Sequence, residues 1–226
     1  VPFSVKSIGI NVISQCESLE TIIIPPIISF IEADKFRSFT KLKEFSIPKS
    51  VNKIPKNCFY ECTSITKIEI PSSVEFIDEY AFYKCTSLVE ITIPNSVKNI
   101  GQYSFASCLS LKLINLSSSL TTIENNLFEK CSSLEKLIIP SSVQSINEFS
   151  FYDCNSLKEI NIPSSVTSIN DYAFCGCLSA ENISISNSIK DIGSYVFYGC
   201  RALKNIRIPS SVKSIGYFSF SYCTSL

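Results

Sequence analysis

The chain of 226 residues repeats itself every 23 residues, and no insertion breaks the count along its length. The segment IPSSVTSINDYAF at residues 162–174 returns, two periods later, as IPSSVKSIGYFSF at residues 208–220. One column of the period holds Pro2, Pro25, Pro48, Pro71, Pro94, Pro140, Pro163 and Pro209, with Ser117 and Ser186 in the two gaps. Three residues on, every row has Val, Ile or Leu, from Val5 to Val212; three further on, every row has isoleucine, from Ile8 to Ile215. A phenylalanine column runs from Phe36 to Phe220, broken only at Ile13, and a cysteine column from Cys16 to Cys223, broken only at Phe39. A trio such as Leu157, Ile160 and Ile162 closes each row. Spacing this strict specifies a solenoid, in which each repeat is one rung and neighbouring rungs complete one another's core.

In LKEINIP at residues 157–163, the apolar pattern ends in alternation, with Glu159 and Asn161 on the opposite side. This pattern predicts a short strand ended by a proline that cannot donate to a ladder. Stacked rungs then form a parallel sheet with strands about 4.8 Å apart. A serine column (Ser4, Ser50, Ser73, Ser96, Ser119, Ser142, Ser165, Ser188, Ser211) is placed to satisfy backbone groups at the following turn. The rows DEYAFYKC, NEFSFYDC and NDYAFCGC open on Asp78, Asn147 and Asn170, each followed by an acid. They predict one short helical turn on the far side, with phenylalanine and cysteine pointing inward. The expected fold is an α/β solenoid of about ten 23-residue repeats, forming a single domain over residues 1–226.

The pattern LxxIxIPxSVxxI followed by Phe and Cys, as in Leu157 to Phe174 and Cys177, resembles the 23-residue leucine-rich repeats of BspA-like surface proteins, also called the Treponema type. The likeness covers essentially the whole chain. Ser165 stands where the general leucine-rich pattern has Asn or Cys, and Val166 comes one position early, a departure that the BspA class shares. The resemblance implies a right-handed solenoid with its strands on a concave face. It also implies surface-exposed or secreted proteins that attach to host matrix, host cells or other microbes.

Composition removes several alternatives. Formal charge is zero, with basic and acidic residues interspersed, so there is no stripe to follow phosphates and nucleic acid is not an expected partner. The longest apolar run, TIIIPPIISF at residues 21–30, is too short and interrupted to insert in a bilayer. The chain begins and ends within the motif, with no signal peptide and no polar cap, and is expected to be a fragment of a longer protein. Histidine is absent, which removes the commonest general base and metal ligand, and six glycines form no phosphate loop. No enzyme activity, metal or cofactor is expected. Nine of the eleven cysteines are the repeat column; they are read as free buried thiols, with Cys175 the one that is placed to be partly exposed and reactive.

The side chains pointing outward from the strands are the candidate site. One line holds Glu69, Thr92, Asn115, Ile138, Asn161 and Arg207; Leu113 lies on the neighbouring line, making with Ile138 an exposed apolar pair on adjacent strands. An aromatic column at Tyr80, Tyr103, Phe149, Tyr172, Tyr195 and Phe218 is either a second sticky stripe or packs rung on rung. Two sequons, NLS at Asn115 and NIS at Asn182, are candidate N-glycosylation sites on the same face. The expected function is a non-enzymatic, protein-binding module at the cell surface or secreted, mediating adhesion to a host matrix or cell-surface protein. The alternative is an intracellular, cytoplasmic scaffold.

Overall fold

A computed structural model of the chain describes Val5, Cys16 and residues 18–226. The repeat members Pro2, Ser4, Ile8 and Ile13 lie outside the described residues. From Pro25 onward the period becomes a stack of about eight full rungs, fewer than the ten expected from counting rows.

The trio of each row builds the first parallel ladder. Its members include Glu44–Phe45, Glu90–Thr92, Leu113–Asn115, Glu159–Asn161, Asn182–Ser184 and Asn205–Arg207. Paired residues lie one period apart, as in Ile91 with Ile114 and Ile183 with Ile206, and the pairing is interrupted between Leu137 and Ile160. Exposure alternates along these strands: Ile91 and Ile114 are buried while their flanking residues face solvent. This is the alternation that a half-buried strand requires.

A second parallel ladder was not expected. The column of isoleucines, preceded in most rows by a polar residue, forms two-residue strands such as Lys53–Ile54, Asn99–Ile100, Thr122–Ile123 and Asp191–Ile192. Ile54, Ile77, Ile100, Ile123 and Ile146 are essentially fully buried; Ile54, Ile77 and Ile100 share one register, and Ile123 and Ile146 share another with Ile169.

The third side carries no helix among the described residues, which corrects the α/β assignment and the short helical turns to an all-β solenoid. Each rung instead makes two successive tight turns with left-handed residues four apart, such as Tyr80 (φ 58°) with Lys84 (φ 56°) and Tyr172 (φ 60°) with Gly176 (φ 77°). A left-handed residue cannot sit inside a right-handed helix. The hydrogen bonding shows what replaces it. The amides of Tyr83 and Cys85 bond within their rung, to the carbonyls of Tyr80 and Phe82 at 3.2 and 3.1 Å. The alternate amides of Tyr80, Phe82 and Lys84 reach the next rung, to the carbonyls of Gln102, Ser104 and Ala106 at 3.0, 2.8 and 2.9 Å. A helix would spend all of these donors on its own rung and leave the stack unjoined on this side. Asn147 and Asn170 likewise serve the stack: the amide of Asn170 donates to Asn147, and that of Asn147 to Glu124, both at 3.4 Å.

Between the three sides lies one continuous core. Its centre is a file of phenylalanine rings from Phe36 to Phe220, with neighbouring centroids 5.0–6.0 Å apart and planes within 22° of parallel. Phe59 through Phe197 in this file are fully buried. All eleven cysteines are free, and the column cysteines from Cys62 to Cys223 have a structural bond of their own. The thiol of Cys62 donates to the carbonyl of Phe36 in the previous rung at 3.0 Å, and Cys85, Cys108, Cys131 and Cys154 repeat the bond at 3.1–3.2 Å. The serine column does the expected work in part. Ser73 donates to the Val51 carbonyl and Ser119 to that of Asn95, both at 2.7 Å, whereas the hydroxyls of Ser96, Ser142, Ser165 and Ser211 are buried without a protein partner.

Two measurements probe this core. Phe128→Ala removes a fully buried ring from the file and is expected to lower unfolding free energy by about 3–5 kcal/mol, read from urea denaturation. A loss below about 1 kcal/mol would contradict the packing described. Burial pushes the thiols of Cys62 and Cys108 up to about 12 from an ordinary 9.0. Because the unfolded chain releases these protons first, their stabilisation is whole below pH 9 and is lost as pH rises from 9 toward 12. The urea midpoint is therefore expected to fall between neutral pH and pH ~10.5; a constant midpoint would show that these thiols are solvated.

Candidate functional site

On the first ladder every second side chain must point outward, and the one-period register aligns those side chains in files along the stack. Glu69, Thr92, Leu113, Asn115, Ile138, Asn161 and Arg207 are all exposed on this face. The register sets Thr92 beside Asn115, and Asn161 beside Ser184, which in turn neighbours Arg207. Within the file, the amide of Asn115 donates to the Thr92 hydroxyl at 3.4 Å and the Ser184 hydroxyl donates to Asn161 at 2.8 Å.

Leu113 and Ile138 are on adjacent strands but not opposite each other. Leu113 pairs with Lys136, so Ile138 is its diagonal neighbour, two residues further along. Ile138 is 70% exposed and Leu113 38%, so Ile138 presents the larger apolar surface. Glu69, Thr92, Leu113 and Asn115 do converge, lining with Lys67 and Glu90 a shallow recess of about 410 Å³. Lys67 and Glu90 form an ion pair at 3.1 Å across it. Ile138, Asn161 and Arg207 lie outside that recess, further along the face. The surface is therefore extended, mixed in polarity and open, a geometry for many weak contacts rather than for enclosing a small molecule.

Both sequon asparagines, Asn115 and Asn182, are exposed on this face. They differ at the hydroxyl residue. Ser184 is exposed, whereas Ser117 is fully buried with its hydroxyl donated to the Val97 carbonyl at 2.7 Å.

Two other candidates resolve. Cys175 is buried, at 6% exposure, and burial pushes its thiol up to about 11, with Asp153 adding to the shift. It is not a reactive thiolate at neutral pH, a correction to its expected exposure. The aromatic column packs rung on rung: Tyr80 on Tyr103 at 4.8 Å, Phe149 on Tyr172 at 4.6 Å and Tyr172 on Tyr195 at 4.6 Å, each pair within 6° of parallel. Sequence columns alone did not show that a second aromatic line flanks this stack through Tyr60, Tyr83, Tyr152 and Tyr198. The three-residue spacing of Tyr80 and Tyr83, repeated at Phe149 and Tyr152, was the available signal. Among the described residues, no group of three or more His, Cys, Asp or Glu is arranged to hold a metal ion.

A native-state thiol titration follows from the burial of the cysteines. Cys175 and the column residues from Cys62 to Cys200 are expected to resist a disulfide reagent at neutral pH and to react once the chain is unfolded. Rapid native labelling of Cys175 would contradict its placement.

Comparison with known proteins places this geometry. The family model for the BspA type leucine rich repeat region, in six copies, matches residues 6–135 and 121–226. A leucine-rich repeat protein from Bacteroides ovatus is 24% identical, with TM-score 0.65, over 97% of this chain and 80% of its own. The T. pallidum leucine rich repeat protein is 35% identical, also with TM-score 0.65, over 68% of this chain and 72% of its own. One from Eubacterium ventriosum is 21% identical, with TM-score 0.57, over 91% of this chain and 59% of its own. A search of curated protein sequences finds no match.

Proposed function

Because the chain belongs to the BspA-type leucine-rich repeat family, a family of repeat scaffolds for protein interaction, we propose that it is a non-enzymatic adhesion module of a cell-surface or secreted protein. Its partner is a protein of a host matrix, a host cell or another microbial surface. The observation that supports this reading is the first-ladder face, where Glu69, Thr92, Leu113, Asn115, Ile138, Asn161 and Arg207 stand exposed in aligned files. Solenoids bind through such extended surfaces, and affinity gathers around a few apolar anchors within a polar surround. Ile138 and Leu113 are those anchors here. Glycans at Asn115 or Asn182 would narrow the free part of the face.

The alternative reading is a cytoplasmic scaffold using the same face. The eleven free thiols favour it, since reducing compartments keep thiols free. Staining of unpermeabilised source cells with an antibody to this chain separates the two: signal at the surface supports adhesion, and signal only after permeabilisation overturns it. For the face itself, Leu113→Glu with Ile138→Lys is expected to weaken capture of the partner by tenfold or more without shifting the melting temperature. Unchanged binding in a folded double variant would move the site off this face.

A further inference from the structure

We propose that the third side carries a slot for the guanidinium of a partner's arginine, formed between the rings of Tyr103 and Phe149 at the level of Asn126. This site is independent of the first-ladder face and of where the protein resides.

The slot follows from an interruption in the outer ring stack. Rings stand in consecutive rungs at Tyr80 and Tyr103, and again from Phe149 through Tyr172 and Tyr195 to Phe218, at spacings of 4.6–5.2 Å. Between Tyr103 and Phe149 the column holds Asn126, and no ring contact joins the two. The two rings are thus separated by two rung steps, which in the inner phenylalanine file measure 6.0 and 5.4 Å. One planar group fits midway, within the roughly 6 Å of each ring centroid that a stacked cation needs. Tyr103 and Phe149 are both partly exposed, so the slot opens to solvent.

Asn126 does not fill it. Its amide turns along its own rung and donates to Glu129 at 2.9 Å. Position 129 is where other rungs place Tyr83, Tyr152 and Tyr198, which pack beside the stacked ring three residues earlier at 5.6–5.7 Å. A carboxylate here sits at the edge of the missing ring, where the N–H fork of an inserted guanidinium would point, exchanging the Asn126 amide for a charge-assisted pair. Charge favours the same occupant: the carboxylates of Glu129 and Asp153 share one cation, Lys130, which pairs with Glu129 at 3.1 Å. The protein already makes this contact internally elsewhere on the same side, where the Arg37 guanidinium lies 4.2 Å from the Tyr60 ring centroid. Planarity and the forked donors distinguish arginine from lysine, which lacks both.

The test titrates N-acetyl-arginine amide into the full chain and follows aromatic ring shifts by NMR. N-acetyl-lysine amide and N-acetyl-tyrosine amide serve as comparison probes. The expected result is saturable movement of the Tyr103 and Phe149 resonances with the arginine probe, at least fivefold weaker with lysine. Asn126→Tyr closes the slot with the ring that the column lacks; tyrosine is tolerated, since Tyr80, Tyr103, Tyr172 and Tyr195 hold φ of 58–60° at the equivalent position. This variant is expected to melt higher and to lose the response. Glu129→Gln keeps the slot open and is expected to weaken the response to the level of lysine. Equal response to lysine, stronger response to tyrosine amide, shifts spread over all tyrosines, or an undiminished response in Asn126→Tyr would each overturn the proposal.

Discussion

Each rung is held by hydrogen bonds to the rungs on both sides, and everything else in the molecule is arranged around keeping those bonds in register. On the second ladder the donors point back: the amides of Asp78 and Gly101 reach the Ile54 and Ile77 carbonyls of the preceding rung, at 2.9 and 2.7 Å. Two residues later, on the third side, they point forward, from Tyr80 to Gln102 at 3.0 Å and from Tyr103 to Asn125 at 3.2 Å. An interior rung is therefore donor and acceptor to both of its neighbours. A solitary rung would leave these groups and both flat apolar faces to water, so the unit of stability is the interface between rungs.

The invariance of the period follows from that constraint. An inserted residue on one side would shift the ladders out of step with the phenylalanine file, where ring overlap depends on a common rise on all three sides. Buried positions are confined accordingly: Val, Ile, Phe and Cys recur because each meets its own copy above and below. The thiol is suited to its place, small enough for the core and able to donate to the carbonyl of the preceding phenylalanine. Variation is left to the outward files, and it is there that Ile138, Asn161 and Arg207 break the monotony of the repeat.

The first ladder, its register and the outward direction of Glu69 through Arg207 were legible because an alternating pattern closed by proline has one reading as a strand. The second ladder was not, since strands of two residues, such as Asn99–Ile100, are shorter than any alternation that could reveal them. The helical expectation failed for a clearer reason. An Asn or Asp followed by an acid is a helix-start signal only when the turn satisfies itself; at Asn147 and Asn170 the side chains bond along the stack, and Phe149 and Tyr172 adopt left-handed conformations that end any helix. Cys175 misled in the same way: its column partners Tyr83 and Tyr152 reach the surface because they are long, whereas a cysteine at that position stays beneath it.

Hydrogen exchange on the intact chain tests the central claim most directly, because it reads individual amides on the third side. The amides of Phe105, Phe128 and Phe151, which bond to the next rung at 3.1, 2.8 and 2.8 Å, are predicted to exchange as slowly as the amide of Asn147, which bonds back to Ile123 at 2.9 Å, opening only with the whole stack. Fast exchange at those three positions beside protected ladders would show a third side that does not join the rungs, and would contradict the account.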